Sequence, residues 1–544
     1  MQITIQVTKT RIFFLILLMI GLVFAYRVVV KRAYPYEHLA TAVKGVQRYV
    51  KILKAGGEEA YIEQQLKAQY AVGSSSRNEV KSIETTLLPL HFRSVWVGES
   101  GTFPAAGGAL TVAEGKLVVM DRFGGIYLFQ NDKLLPLDYG EFPNRMREFI
   151  VDSKNTLFNS DAMRAHSIVY DPAGGRLYVG HAKFISSEAN RFAISTIPVH
   201  KESLKATGPW ETIFESQDYP VKYSSHAGGG KIILERGKIY FSIGYADDVL
   251  EDGKLNSTSQ NLNSQSGKVF ELDLQSKAVK MVTFGHRNVQ GLTVSQTGDI
   301  ISAEHGPQGG DELNRLVPGR NFGWPYQTYG TRYGTYDYDW PAGTIPENLQ
   351  LSEPLYAFVP SVATSAVHAM KAFHPKWDGD LLVGSLKAQS LFRIKYKEER
   401  VIFSEPIWIG SRIRDITELP GQIVLLTDSS YLIFLTVDEN LLKGNAKNAG
   451  YNFEPKINSC LACHHFEQTT PSNMGPTLTN LLNRKIASDN FNYSDALKKT
   501  EGVWTRENLI RYVEDPMGFV PGTTMPPVGL THEEVEEVVD ILIR

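Results

Sequence analysis

Apolar positions along the chain fall into four regimes. Ile12 to Tyr26 is an unbroken apolar run, interrupted by Arg27 and resumed by Val28, Val29 and Val30. From about His38 to Tyr70, Leu39, Val43, Val46, Val50 and Leu53 recur at three- and four-residue spacing, which predicts amphipathic helix. Gly56-Gly57 divides that stretch in two, and Ser74-Ser75-Ser76 closes it as a linker. From about Leu90 the pattern changes to short apolar strands, each entered from a turn signal. They are Lys116–Met120, Arg176–Gly180, Lys238–Gly244, Asp299–Ala303, Asp380–Gly384 and Gln422–Leu426. The turns before them are Glu114-Gly115, Gly174-Gly175, Arg236-Gly237, Thr297-Gly298, Asp378-Gly379 and Pro420-Gly421. One strand-turn-strand unit recurring six times at uneven spacings of roughly 40 to 80 residues predicts an all-β six-bladed propeller with long loops. A β-sandwich would need fewer strands. After about Gly444 the strand pattern stops, and helices are expected around Thr477–Arg484, Tyr493–Lys499, Arg506–Glu514 and His532–Arg544. The expected organisation is an N-terminal membrane anchor (1–32), a helical stalk or linker (33–89), the propeller (90–440) and a small all-α domain (445–544).

As a helix, the run from Ile12 to Tyr26 spans about 22 Å, and about 28 Å with the valines, close to the ~30 Å of a hydrocarbon core. A cleaved signal peptide is the alternative, but Tyr26-Arg27-Val28 stands where small residues would mark the cleavage site. Lys9 and Arg11 precede the run and Arg27, Lys31 and Arg32 follow it, so flanking charge does not orient it.

Composition changes this picture little. The 544 residues are 42% hydrophobic and 21% charged, which excludes a disordered or fibrous chain, and the net charge of −3 lacks the basic footprint of a nucleic-acid binder. The cysteine count is more informative. Both cysteines lie in Cys460-Leu-Ala-Cys463-His464, so no disulfide framework remains, and the spacing is that of covalent c-type haem attachment. The same spacing could form half of a zinc site, but no second Cys/His pair is placed to complete it. His464 is the expected proximal iron ligand. Such haem is attached outside the cytoplasm in bacteria. The expectation is therefore a single-pass protein of the inner membrane, with the bulk of the chain in the periplasm.

Around that motif, roughly the last 90 residues resemble a small class I cytochrome c. Gly475-Pro476-Thr-Leu478 matches the segment whose proline carbonyl orients the proximal histidine, and Val520-Pro-Gly-Thr-Thr-Met525-Pro526-Pro527 resembles the loop presenting the axial methionine. The resemblance implies Met525 as the sixth ligand; Met474, Met517 and His465 remain alternatives. A His/Met pair leaves no open iron position, so this domain is expected to move electrons.

Four polar stretches flank strands of the propeller: His226-Ala-Gly-Gly-Gly-Lys-Ile, Gly285-His-Arg287-Asn288-Val-Gln-Gly-Leu, Ala303-Glu-His-Gly306-Pro307-Gln-Gly-Gly-Asp311-Glu312-Leu-Asn314 and Arg412-Ile-Arg414-Asp415. Lys387 joins them. Cations brought together by a propeller suit a ligand with several carboxylates. As solvated residues, Arg412 and Arg414 would instead pair with Asp311 or Glu312, and His226 would be a structural strand-end histidine.

Residues from about 100 to 435 resemble the soluble-type quinoprotein glucose/sorbosone dehydrogenases. The carriers of the resemblance are Glu304-His-Gly-Pro-Gln-Gly-Gly-Asp-Glu-Leu-Asn, continuing to Asn321-Phe-Gly-Trp-Pro325, and the Arg-x-Arg-Asp segment. It implies a six-bladed propeller binding pyrroloquinoline quinone (PQQ) and calcium. By the same resemblance His226 is the general base for a sugar's anomeric hydroxyl, and Arg287, Asn288, Lys387, Arg412 and Arg414 hold PQQ. Gly306 and Pro307 would offer backbone carbonyls to calcium. The implied reaction is hydride transfer from an aldose or related alcohol to PQQ, with electrons passed singly to haem c. A downstream cytochrome, quinone or terminal oxidase would then accept them. One departure stands out: Tyr245 occupies the place of an aspartate that orients the catalytic histidine, with Asp247 and Asp248 just beyond. The competing reading is a haem-tethered propeller without catalysis that binds or docks a partner.

Overall fold

The computed structural model describes residues 49–70, 78–98, 107–152, 160–221, 229–246, 255–331, 349–397, 400–442, 475–489 and 491–543, with residues 46, 248, 249, 460 and 464. They form two units, divided between Glu439 and Asn440. The apolar run at 12–26, Cys463 and His226 lie outside the described residues. Among those described, no helix is long and apolar enough to cross a membrane.

The first unit is a six-bladed propeller. Its inner strands are Ala109–Ala113, Ala165–Asp171, Ile232–Glu235, Val289–Val294, Thr364–Ala369 and Ile413–Leu419, each neighbouring the next and the last returning to the first. The six strands expected from the glycine turns are the second strands of the six blades. Each turn glycine has a left-handed backbone, with φ of 73° at Gly115, 61° at Gly175, 74° at Gly237, 87° at Gly298, 82° at Gly379 and 70° at Gly421. That conformation, required to reverse the chain between inner and second strands, is one that side chains with a Cβ resist.

Chain ends close the ring. Leu90–Trp96 pairs with Tyr431–Val437, so the last blade combines one N-terminal strand with three C-terminal ones. Val80–Ile83, which the sequence places in the linker, adds a fifth strand outside it. Apolar clusters fill the interfaces between neighbouring blades; between the second and third, Phe192, Phe241 and Phe270 stack at 5.7 and 5.4 Å. Burial shared by successive blades makes closure cooperative, because no blade can cover both of its faces alone.

The expected stalk packs onto the propeller. Helix Glu58–Tyr70 follows Gly56-Gly57 and buries Tyr61 and Ile62 against Phe123, Met146, Phe149, Met163 and Phe184. Glu59 adds an ion pair with Arg147 at 2.5 Å.

The second unit has helices Asp495–Lys498, Arg506–Glu514, Pro516–Phe519 and His532–Leu542 around Trp504, Leu509, Val535 and Val539. The helix expected over Thr477–Arg484 is instead a series of turns. Asn480 and Asn483 take left-handed conformations, with φ of 51° and 61°, and Asn accepts that conformation more readily than most residues.

Candidate functional site

In an antiparallel blade, the start of the first strand and the end of the second lie at the same end. This rule gathers the polar stretches at one end of the propeller axis. Arg287 and Asn288 precede Val289–Val294, Arg412 and Arg414 open Ile413–Leu419, and His305, Gly306 and Pro307 follow Ile300–Glu304. Lys387 follows Leu381–Ser385 at the same end. Helix Glu58–Tyr70 packs here too, since its partners Phe123, Met163 and Phe184 stand at the corresponding ends of the first two blades.

Among the cavities at this end, one of about 380 Å³ is lined by Arg164, His166, Lys231, Gln290, Arg414 and Asp415. Another, of about 240 Å³, is lined by Arg287, Glu304, His305, Gly306, Glu312 and Trp324. Arg164, His166 and Lys231 were not assigned from the sequence. Lys231 sits inside a quoted motif and Arg164 alternates with an apolar strand start, but neither carries a pattern that marks it.

Each cation is met differently. Lys231 Nζ pairs with Asp415 at 2.6 Å. Arg414 grips Asp428 with two nitrogens at 2.8 and 2.9 Å, and Arg412 Nε reaches the same carboxylate at 2.9 Å. Burial alone would raise Asp428, but the charge and hydrogen bonds of Arg414 and Arg412 outweigh it and hold the group below its ordinary value. The partner expected as Asp311 or Glu312 is therefore Asp428. Asp311 is engaged elsewhere: it accepts from the Gly306, Val362 and Ala363 amides and the Ser361 hydroxyl. Lys387 is exposed, and its ammonium makes no ion pair among the described residues.

Arg287 is buried, 6% exposed, and its guanidinium meets no carboxylate among the described residues. Nη1 donates to the His305 carbonyl at 3.1 Å, and Nε is buried without a partner among the described residues. The backbone beneath it is rigid. Arg287 N donates to Glu304 Oε2 at 3.0 Å, and Glu304 Oε1 accepts from Asn314 at 2.7 Å. Asn288 Oδ1 accepts from Gln290 at 2.7 Å, and its carbonyl accepts from His305 N at 3.0 Å. His305 and His166 each carry a buried Nε2 without a partner. Burial, then the charges of Arg287 and Arg414, pushes His305 down to about 3; burial, then Arg164 and Arg414, does the same to His166. Both imidazoles are neutral at ordinary pH.

The cations at this end, Arg287, Lys387 and the Arg412–Arg414 pair whose two charges face one carboxylate, would suit a compact polyanion. Calcium also fits the donor chemistry. A Cβ on Gly306 would fall 2.3 Å from the carbonyl oxygens of Gly309 and Gly310, so only glycine admits these oxygens so close. Among the described residues no group of three or more His, Cys, Asp or Glu side chains is placed to hold a metal.

In the second unit, His464 N donates to Cys460 O at 2.9 Å, placing both residues on one turn. His464 Nδ1 donates to the Pro476 carbonyl at 2.8 Å, which leaves Nε2 as the unprotonated nitrogen. A largely apolar cavity of about 990 Å³ is lined by Cys460, His464, Pro476 and Met525. Tyr512 OH lies 2.6 Å from Thr523 Oγ1 and ties the Met525 loop to helix Arg506–Glu514. Thiol, imidazole and thioether around a largely apolar space are a donor set that haem takes.

Fold and sites together define a six-bladed propeller joined to a c-type cytochrome unit. The chain belongs to the family described as Glucose / Sorbosone dehydrogenase, which matches residues 110–433. An aldose sugar dehydrogenase of Escherichia coli is 25% identical over 246 residues, 42% of this chain; the match spans 64% of that relative, under two thirds of its length. The C-terminal unit belongs with the cytochromes c: cytochrome c-550 of Ancylobacter novellus is 40% identical over 78 residues, 14% of this chain and 73% of the relative. A crystal structure of a glucose dehydrogenase covers 66% of this chain and 99% of its own at 24% identity, with a TM-score of 0.50, a likeness of fold.

Proposed function

We propose that the chain is a PQQ-dependent dehydrogenase that oxidises an aldose or a related alcohol and passes the electrons to its own haem c. The observation that carries this reading is the buried guanidinium of Arg287, which meets no carboxylate among the described residues, at the cationic end of a glucose/sorbosone dehydrogenase propeller. An uncompensated buried charge costs several kcal/mol, so the site is built to receive an anion.

PQQ, when bound, supplies an electrophilic carbonyl carbon able to take a hydride, and haem supplies a one-electron acceptor. Arg287, Asn288, Lys387, Arg412 and Arg414 hold the carboxylates and quinone oxygens, and the carbonyls of Gly306 and Pro307 hold calcium. His226 takes the proton of the substrate hydroxyl, a role supported by its place in the motif before Ile232–Glu235. Cys460 and Cys463 would attach the haem, and His464 and Met525 would ligate its iron. The electrons leave to a cytochrome, quinone or terminal oxidase. The apolar run 12–26 anchors the chain in the bacterial inner membrane with both units in the periplasm, a proposal supported by its length and by the haem motif.

Reconstitution tests the reading. Full-length protein loaded with PQQ and calcium is expected to reduce a soluble dye with at least one aldose, and His226→Ala to lose that turnover. Wild-type protein that incorporates haem but neither binds PQQ nor turns over would replace the enzyme with a haem-tethered binding propeller.

A further inference from the structure

Among the described residues no carboxylate meets the Arg287 guanidinium. Its Cζ lies 4.9 Å from the Tyr245 ring and 5.2 Å from the Trp324 ring, and those rings meet edge to face at 5.6 Å and 68°. Nη2 approaches the Tyr245 hydroxyl at 3.4 Å. Both rings are fixed to the segment that bears the arginine. Tyr245 N donates to the Arg287 carbonyl at 2.7 Å, and Trp324 N donates to the Gly285 carbonyl at 2.8 Å. Gln260 Nε2 fixes the Trp324 carbonyl at 2.6 Å. The electron-rich faces stabilise the cation while leaving its charge intact.

We propose that Tyr245 is a positioning residue for Arg287: with Trp324 it holds the guanidinium over the two ring faces, leaving Nε, which has no partner among the described residues, and the positive charge for a carboxylate or quinone oxygen of the cofactor. The expected departure at Tyr245 is thereby given a partner. Its phenol is directed to Arg287. The inference rests on the PQQ reading above.

The test is calorimetric titration of PQQ, with calcium, into the full-length haem-containing protein stripped of PQQ. Tyr245→Phe keeps the ring and is expected to bind within about threefold of wild type. Tyr245→Leu removes the aromatic face and is expected to lose about tenfold. Tyr245→Gln removes the ring but keeps a neutral polar end, and is expected to lose about tenfold as well. Melting of the PQQ-free variants separates binding from folding, and if Tyr245→Leu does not fold, Tyr245→Gln against Tyr245→Phe makes the same comparison. Wild-type binding matched by Tyr245→Leu or Tyr245→Gln overturns the positioning role alone. Absence of PQQ binding in wild type overturns the parent reading and the positioning role with it.

Discussion

At the scale of single residues, both sites are set by small groups that orient larger ones. The Pro476 carbonyl decides which His464 nitrogen carries the proton, and Glu304 fixes the backbone of Arg287. In the haem reading, Met525 closes the sixth iron position. Met525→Ala is therefore expected to abolish the methionine–iron charge-transfer band and to let cyanide bind the oxidised haem, both readable in the visible spectrum. An unchanged band would move the ligand to Met474 or Met517. The haem residues were legible because they crowd into one motif and one loop. Partners of Arg412, Arg414 and Tyr245 were not. Asp428 meets Arg412 and Arg414 across the hairpin of one blade, 16 and 14 positions away, while Arg287 reaches Tyr245 from the next blade, 42 positions away.

At the scale of elements, the turn glycines explain why the propeller was readable. Gly237 has φ of 74°, and a Cβ placed on it would meet nothing within 4 Å, so its cost on substitution is conformational strain alone. Gly237→Ala is expected to destabilise the propeller by about 1–2 kcal/mol in urea unfolding, without loss of the fold. No change would mean the turn relaxes into another geometry. Where left-handed residues are asparagines, as at Asn480 and Asn483, the same device reads as helix and misleads. Docking of helix Glu58–Tyr70 was also hidden: its two anchors, Tyr61 and Ile62, are sequence neighbours and form no helical stripe, so only the propeller surface shows which face is buried.

At the scale of the whole molecule, stability depends on neutral buried histidines. His166 and His305 are pushed down to about 3 and His181 to about 4, in each case chiefly by burial, from an ordinary 6.5. A depressed folded value means the unfolded chain binds protons first, so stability is present above pH ~6.5 and is lost as pH falls towards those values. The loss is on the order of 2 kcal/mol per histidine near pH 5. Asp121 offsets part of it, because burial raises it to about 6 and its protonation favours the folded state. The urea midpoint of the propeller is expected to fall between about pH 7.5 and pH 5, and a constant midpoint would show these imidazoles already charged in the folded protein.

Coupling of sugar oxidation to the haem is the central claim, and stopped-flow mixing of aldoses with the PQQ- and calcium-loaded protein tests it most directly. The account predicts that the reduced c-type haem bands appear with at least one aldose, are absent without PQQ, and are lost in His226→Ala. Haem that stays oxidised while the loaded protein consumes sugar with an added dye would contradict it.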